Sequence, residues 1–276
     1  MKDYQDSKIV DQEFSIEVDL LPEKTRSGVK LSQIKTLDQI VASYYVMEAI
    51  TSIRGENTQM ILEEAKKMLP TLNTTDERSQ RLYKEFAEVV NYTPVPILMA
   101  KVGLELMNEM DFGNDPSVVT GAKLEVGHLV SAFGNNYTSL ANVNLLDHTL
   151  NVFEEGINKA RGFGRVMQVA IPTIACLFHD FGKSTNIRLT LIGDSAGRGY
   201  RPHAEVSEIF VSSMLPDKMK KADPESQIPT ETIKLLSSIV KHHHPGQKGK
   251  VDSGVAFVIE ADANARNKEV EKMRNV

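Results

Sequence analysis

Between Phe14 and Leu20 the chain runs Phe-Ser-Ile-Glu-Val-Asp-Leu, a strict alternation of apolar and polar residues. A period of two predicts a half-buried strand. Val29-Lys30-Leu31 is its nearby pairing candidate, and Pro22 and Gly28 suit the loop between them. From about Lys35 the period lengthens. Leu37, Ile40, Val41, Tyr44 and Met47 recur at steps of three and four, the mark of an amphipathic helix. A second helix is expected over 58–68, stopping at Pro70. A third follows the capping candidates Thr74-Thr75-Asp76 and carries Leu82, Phe86, Val89 and Val90. Pro94 and Pro96 are expected to interrupt. Helices over 97–110 and 117–133 come next, separated by the turn Gly113-Asn114-Asp115-Pro116.

Past the polar turn Gly134-Asn135-Asn136 the pattern stays helical. Helices are predicted over 140–160, 166–178, 203–214, 230–241 and 255–273. The stretch 182–202, with Gly193, Gly197 and Gly199, is expected to be irregular, and 245–254 to be a Gly/Lys-rich loop. The expectation is an all-α chain: an N-terminal arm and helical region over 1–135, then a second helical domain over 136–276.

Composition narrows this picture only a little. With 276 residues, 41% hydrophobic and 25% charged, the chain can bury one large core or two small ones. No apolar run approaches the roughly 20 residues of a membrane-spanning helix, and the start Met1-Lys2-Asp3-Tyr4 is polar. No membrane association and a cytoplasmic location are therefore expected. The single cysteine, Cys176, lies in an apolar run and is read as a buried small residue. A net charge of −5 and the absence of tryptophan argue against a broad nucleic-acid face.

Chemistry enters with the histidines. Six of the seven fall in the second half; His128 is the exception and is read as structural. His148 lies inside an apolar helix, and His179-Asp180 ends another. His203 opens a helix after Pro202, and His242-His243-His244 closes one. Asp262 follows on the last helix, sharing a face with Val255, Ile259 and Arg266, whereas Glu260 points elsewhere. Burying so many polar groups is costly unless they are paired or coordinated. His148, His179, Asp180, His203, His243 and Asp262 are therefore candidate metal ligands, with His242 or His244 as open alternatives to His243. Imidazole and carboxylate donors suit iron, manganese, zinc or nickel, with magnesium as an option. An Asp directly after a His can bridge two metals.

The segments "LLDHTLNV", "ACLFHDFGKSTN" and "VIEADANAR", in that order, resemble the HD superfamily of metal-dependent phosphohydrolases. "RPHAEVSEIF" and "IVKHHHPG" resemble its histidine-richer branches, among them cyclic-dinucleotide phosphodiesterases, exoribonucleases and conjugative relaxases. The resemblance covers roughly 140–267 and implies an HD-type helical bundle, one or two divalent transition metals, and hydrolysis of a phosphate ester. It gives Asp180 a bridging role and turns Lys183 towards a substrate phosphate. An unliganded member of 242–244, His244 by choice, would then donate a proton. Arg198 and Arg201, in a glycine-rich loop, are candidate phosphate contacts. The substrate expected is a small phosphorylated molecule such as a nucleotide or cyclic nucleotide. A nuclease or DNA-processing role and a non-catalytic nucleotide-binding scaffold are the alternatives, and homo-oligomerisation through the N-terminal region stays open. Asn144 stands where some cyclic-dinucleotide phosphodiesterases carry a third-metal Glu, and Pro-Gly-Gln-Lys replaces their Gly-Tyr-Pro. Both points lead away from that branch.

Overall fold

The structure is a computed structural model that describes residues 63, 65–118, 140, 142–162, 166–193, 201–226, 228–244 and 253–274. The chain divides into two compact units, one of residues 1–71 and 91–94, the other of 72–90 and 95–276. The strand over 14–20, the helix from Lys35, most of the helix over 58–68, and His128 lie outside the described residues. Within the first unit, Ala65, Lys66 and Lys67 are helical. The second unit, described from here on, takes in helices from both sides of residue 135. The described residues contain no strand, only an isolated bridge between Pro116 and Asn144. Among them, no helix is long and apolar enough to cross a membrane.

Nine α-helices make up the described part. The first, α1 (Glu77–Val89), is capped by Asp76, whose carboxylate accepts from Ser79 N at 2.7 Å. Next comes α2 (Pro94–Glu109). Pro94 and Pro96 sit in its first turn rather than interrupting the chain, because a missing N–H costs nothing there. Residues 117 and 118 are not helical, so the helix predicted from 117 does not start there. Asn144 caps α3 (Leu145–Ala160), accepting from Asp147 N at 2.7 Å. Its polar side chain starts the helix five residues later than periodicity alone suggests.

The central element is α4 (Val166–Phe178), which packs against α3, α8 and α9. From Val169 to Phe178 nearly every residue is buried, Cys176 included. That run explains why His179 and Asp180, at its end, are delivered into the interior. A short 3-10 turn (Phe181–Lys183) leads to α5 (Thr185–Ile192). This helix lies inside the stretch expected to be irregular. Ser184 caps its start, and Gly193 ends it at φ 67°, a left-handed conformation that favours glycine. Eight residues between glycine-bearing segments carry too little periodicity to stand out.

Next, α6 (His203–Ile209) passes through a π-helical turn (Phe210–Met214) into α7 (Leu215–Ala222). The last two helices are α8 (Thr230–Lys241) and α9 (Ser253–Arg274). Phe112, Phe178, Phe181 and Phe210 form a fully buried ring cluster, with successive centroids 4.9–5.8 Å apart. It seats the 3-10 turn against α6 and the end of α4.

Gly182 matters for a reason other than a tight turn. A Cβ built on it would lie 2.0 Å from the His203 carbonyl oxygen and 2.8 Å from Ser207 N. Glycine is required because α6 lies directly on the turn. Ser207 locks that contact, accepting from Gly182 N at 2.7 Å and donating to His179 O at 2.9 Å.

Candidate metal centre

Each ligand candidate is placed by the end or the inner face of a helix. His148 faces inward from α3, His179 and Asp180 end α4, His203 begins α6, and His243 and His244 follow α8. Asp262 faces inward from α9. Their side chains converge on Asp180. Oδ2 of Asp180 is 3.3 Å from both His148 Nε2 and His179 Nε2. Oδ1, on the other side, is 3.2 Å from His203 Nε2 and 3.8 Å from His243 Nε2. Asp262 Oδ1 joins the first side, 3.3 Å from His148 Nε2. One carboxylate thus stands between two groups, His148–His179–Asp180 and His203–His243–His244, each with donor atoms within 4.8 Å of one another.

The ring tautomers follow from the hydrogen bonds. His179 Nδ1 contacts Cys176 O at 2.8 Å, and His243 Nδ1 contacts Val240 O at 2.6 Å. A carbonyl only accepts, so Nδ1 carries the hydrogen and Nε2 presents its lone pair inward. His148 Nδ1 donates instead to Glu269 Oε1 at 3.0 Å. Among the buried side-chain atoms left without a hydrogen-bond partner, five belong to this cluster: Nε2 of His148, His179 and His243, Oδ1 of Asp180 and Oδ1 of Asp262. Unsatisfied buried polar atoms are rare and expensive. Five on one cluster, all of ligand type, are what a cation would satisfy. The donor set of imidazoles and carboxylates fits a divalent transition metal.

Electrostatics sharpen the assignment. Burial and Arg266 oppose charge on His148, but Asp180, Asp262 and Glu269 outweigh them and push its pKa up to about 9. Burial and the neighbouring His244, His179 and His203 hold His243 well below the usual histidine range. Burial, His203 and Lys183 bring His244 down to about 4. Burial alone would raise Asp180, yet His179, Lys183 and His148 hold it well below the usual carboxylate range. Asp262 is lowered in the same sense, mainly by His148. Asp262 keeps 30% of its side chain accessible although its Oδ1 is buried, so the cluster meets solvent at this residue.

A titration result follows. In the metal-free protein a proton competes with an ion for His148, whose pKa is raised, whereas the lowered His243 and His244 offer less competition. Binding at the His148 side is expected to release about one proton, and affinity to rise about tenfold per pH unit up to about pH 9. Calorimetry in buffers of different ionisation enthalpy measures the release; no proton released at pH 7 would remove His148 from the ligand set.

The other expected residues fall into place unevenly. Lys183 Nζ lies 2.7 Å from Asp180 Oδ2 and donates to Ser117 O at 3.1 Å, with 9% of its side chain accessible. His244 Nε2 is 2.7 Å from His203 Nε2, inside the second donor group. His242 is exposed and donates Nδ1–H to Ser238 O, away from the cluster. Glu260 is also exposed and pairs with Lys159. Arg201 is exposed, while its carbonyl accepts from buried Arg188 at 3.3 Å. Arg198 lies outside the described residues.

Sequence reasoning missed the supporting residues. Glu269 is 3% exposed and also accepts from Asn151 and Arg266. It follows Asp262 by two helical turns, a spacing that could have flagged it. Ser117 receives Arg266 on both its hydroxyl, at 2.9 Å, and its carbonyl, at 3.0 Å. Asp115 accepts from Thr185 N and Oγ1, at 3.0 and 2.6 Å, and so fixes the start of α5 just after Lys183. Nothing local in the chain marks Asp115 or Ser117 for these tasks. Comparison with protein-family models, curated proteins and solved structures finds no match for this chain.

Proposed function

We propose that the chain is a metal-dependent phosphohydrolase of the HD type, acting on a phosphate ester of a small molecule such as a nucleotide or cyclic nucleotide. The observation that carries this reading is the Asp180 carboxylate, with one oxygen towards His148 and His179 and the other towards His203 and His243. His148, His179, Asp180 and Asp262 would hold one ion; Asp180, His203, His243 and His244 would hold a second. When bound, such ions supply hydroxide near neutral pH and stabilise charge on phosphoryl oxygens.

The chain's own groups do the rest. Lys183 is held by Asp180 and Ser117 at the edge of the cluster, and its ammonium offsets the charge of a substrate phosphate. Asp262, with 30% of its side chain accessible, and half-buried His244 are the ligand candidates on the side where substrate would enter. His244 is assigned to the ligand group rather than to proton donation. Its Nε2 lies 2.7 Å from His203 Nε2, inside the second donor group. Arg198 and Arg201 are assigned to the substrate's phosphate or its leaving group.

Purified protein loaded with manganese, iron, zinc or nickel is expected to hydrolyse members of a panel of aryl phosphoesters, nucleotides and cyclic nucleotides. Activity should disappear on chelation and return on reloading. Loaded protein that hydrolyses none of them would overturn the reading. Activity confined to labelled single-stranded RNA or DNA would redirect it to a nuclease.

A further inference from the structure

We propose that the two pockets meeting at Asp180 bind their ions in order, the His148 pocket first, and that Glu269 sets the gap in affinity. This rests on the reading of the cluster as a metal centre.

The ligand imidazoles have different partners. His179 and His243 donate Nδ1–H to neutral backbone carbonyls, Cys176 O and Val240 O. His148 donates to a carboxylate, Glu269 Oε1, at 3.0 Å. A carboxylate draws more strongly on the ring hydrogen and leaves the opposite nitrogen the better donor to a cation. Glu269 cannot easily turn away from this task. Asn151 Nδ2 donates to its Oε1 at 2.7 Å and Arg266 Nη1 to its Oε2 at 2.9 Å. Arg266, three residues before Glu269 on α9, is itself tied to Ser117, so the orientation of His148 is set through a chain of contacts that joins α9 to residue 117.

Charge divides the pockets in the same direction. Around His148 stand Asp180, Asp262 and Glu269, offset by Lys183 and Arg266, which leaves one carboxylate in excess. The His203–His243–His244 pocket is faced directly, among the described residues, by the shared Oδ1 of Asp180, with Asp262 and Lys183 acting on His244 in opposite directions. A divalent cation is therefore drawn first to the His148 side. Glu269 is a positioning residue here: it acts through His148.

The test is a titration of Co²⁺ into the metal-free full-length protein, followed by calorimetry and by the visible absorption of the bound ion. The wild-type protein is expected to bind in two resolved steps. Glu269→Gln keeps the size of the side chain and a hydrogen-bond acceptor while removing the charge. It is expected to weaken the first step by roughly 10–100-fold, to alter the absorption of the first-bound ion, and to leave the second step unchanged. Glu269→Asp should recover part of the loss, and His244→Ala should weaken only the second step. A merely structural Glu269 would lower thermal stability and move both steps together. The proposal is overturned if Glu269→Gln leaves the first step intact, if both steps shift alike, or if the wild-type protein binds in one unresolved step. Failure of the wild-type protein to bind Co²⁺ at all would overturn the metal reading itself.

Discussion

Replacing Asp180 with alanine is expected to dismantle both proposed pockets at once, with metal content falling from the proposed two ions to at most one weakly held and the proposed hydrolysis falling to background. Asp180 is the only candidate ligand that faces both donor groups, Oδ2 towards His148 and His179 and Oδ1 towards His203 and His243. Affinity at each pocket should drop by about 100-fold or more, beyond what loss of a supporting residue costs. Folding stability changes less, because two effects oppose. Lys183 loses its counter-ion at 2.7 Å, and stranding a buried charge destabilises by ~3–5 kcal/mol. The desolvation cost of Asp180, itself fully buried, disappears with it. Asp180→Asn separates shape from charge. It keeps one carbonyl oxygen and should retain one ion weakly without supporting turnover. Metal analysis after dialysis, together with hydrolysis assays, checks both variants. An Asp180→Ala protein that holds two ions at wild-type affinity would remove the bridge from the centre.

Gly182→Ala is expected to be the most damaging small substitution near the site. The added methyl meets backbone on two sides, the His203 carbonyl at 2.0 Å and Ser207 N at 2.8 Å, and backbone cannot rotate away. The helix α6 must lift, at a cost of about 3 kcal/mol, the upper end of the usual overpacking range. For a chain of this size that is a fall in Tm of roughly 6–12 °C. The displacement acts on His203, so the proposed pocket formed with His243 and His244 should lose metal affinity while the proposed His148 pocket keeps most of its own. Ser207→Ala is the milder companion. It leaves Gly182 N–H and His179 O without their partner, at about 1–3 kcal/mol, but adds no clash. Calorimetric melting and metal titration on the two variants distinguish displacement from simple destabilisation. A Gly182→Ala protein with wild-type Tm and two intact pockets would mean that α6 does not press on the turn.

Much of the local structure was legible along the chain. The helix over 230–241 matches α8, that over 166–178 matches α4, and the cap ahead of α1 is Asp76. The apolar run of α4 foretold that His179 and Asp180 would be buried, and helical spacing separated Asp262 from Glu260. What stayed illegible has a common cause. The prolines of α2 fall in a first turn, the eight residues of α5 are too few for a clear period, and the π-helical turn lies within a continuous helical pattern. Short elements are decided by what packs on them, and periodicity does not report that.

By itself the sequence determined which residues could carry metal-binding chemistry, that the described chain is helical, and which ligand candidates sit at helix ends or on inner faces. Only the tertiary structure decided that the two oxygens of Asp180 face different histidines, that Lys183 rests on that carboxylate, and that His244 stands beside His203. It alone showed Gly182 to be a contact residue and Glu269 the partner of His148. The physical reason is separation along the chain. Helical periodicity reaches three or four residues, whereas Glu269 meets His148 across 121 residues and Arg266 meets Ser117 across 149. Such pairs are chosen by the packing of whole helices, and no local pattern records them.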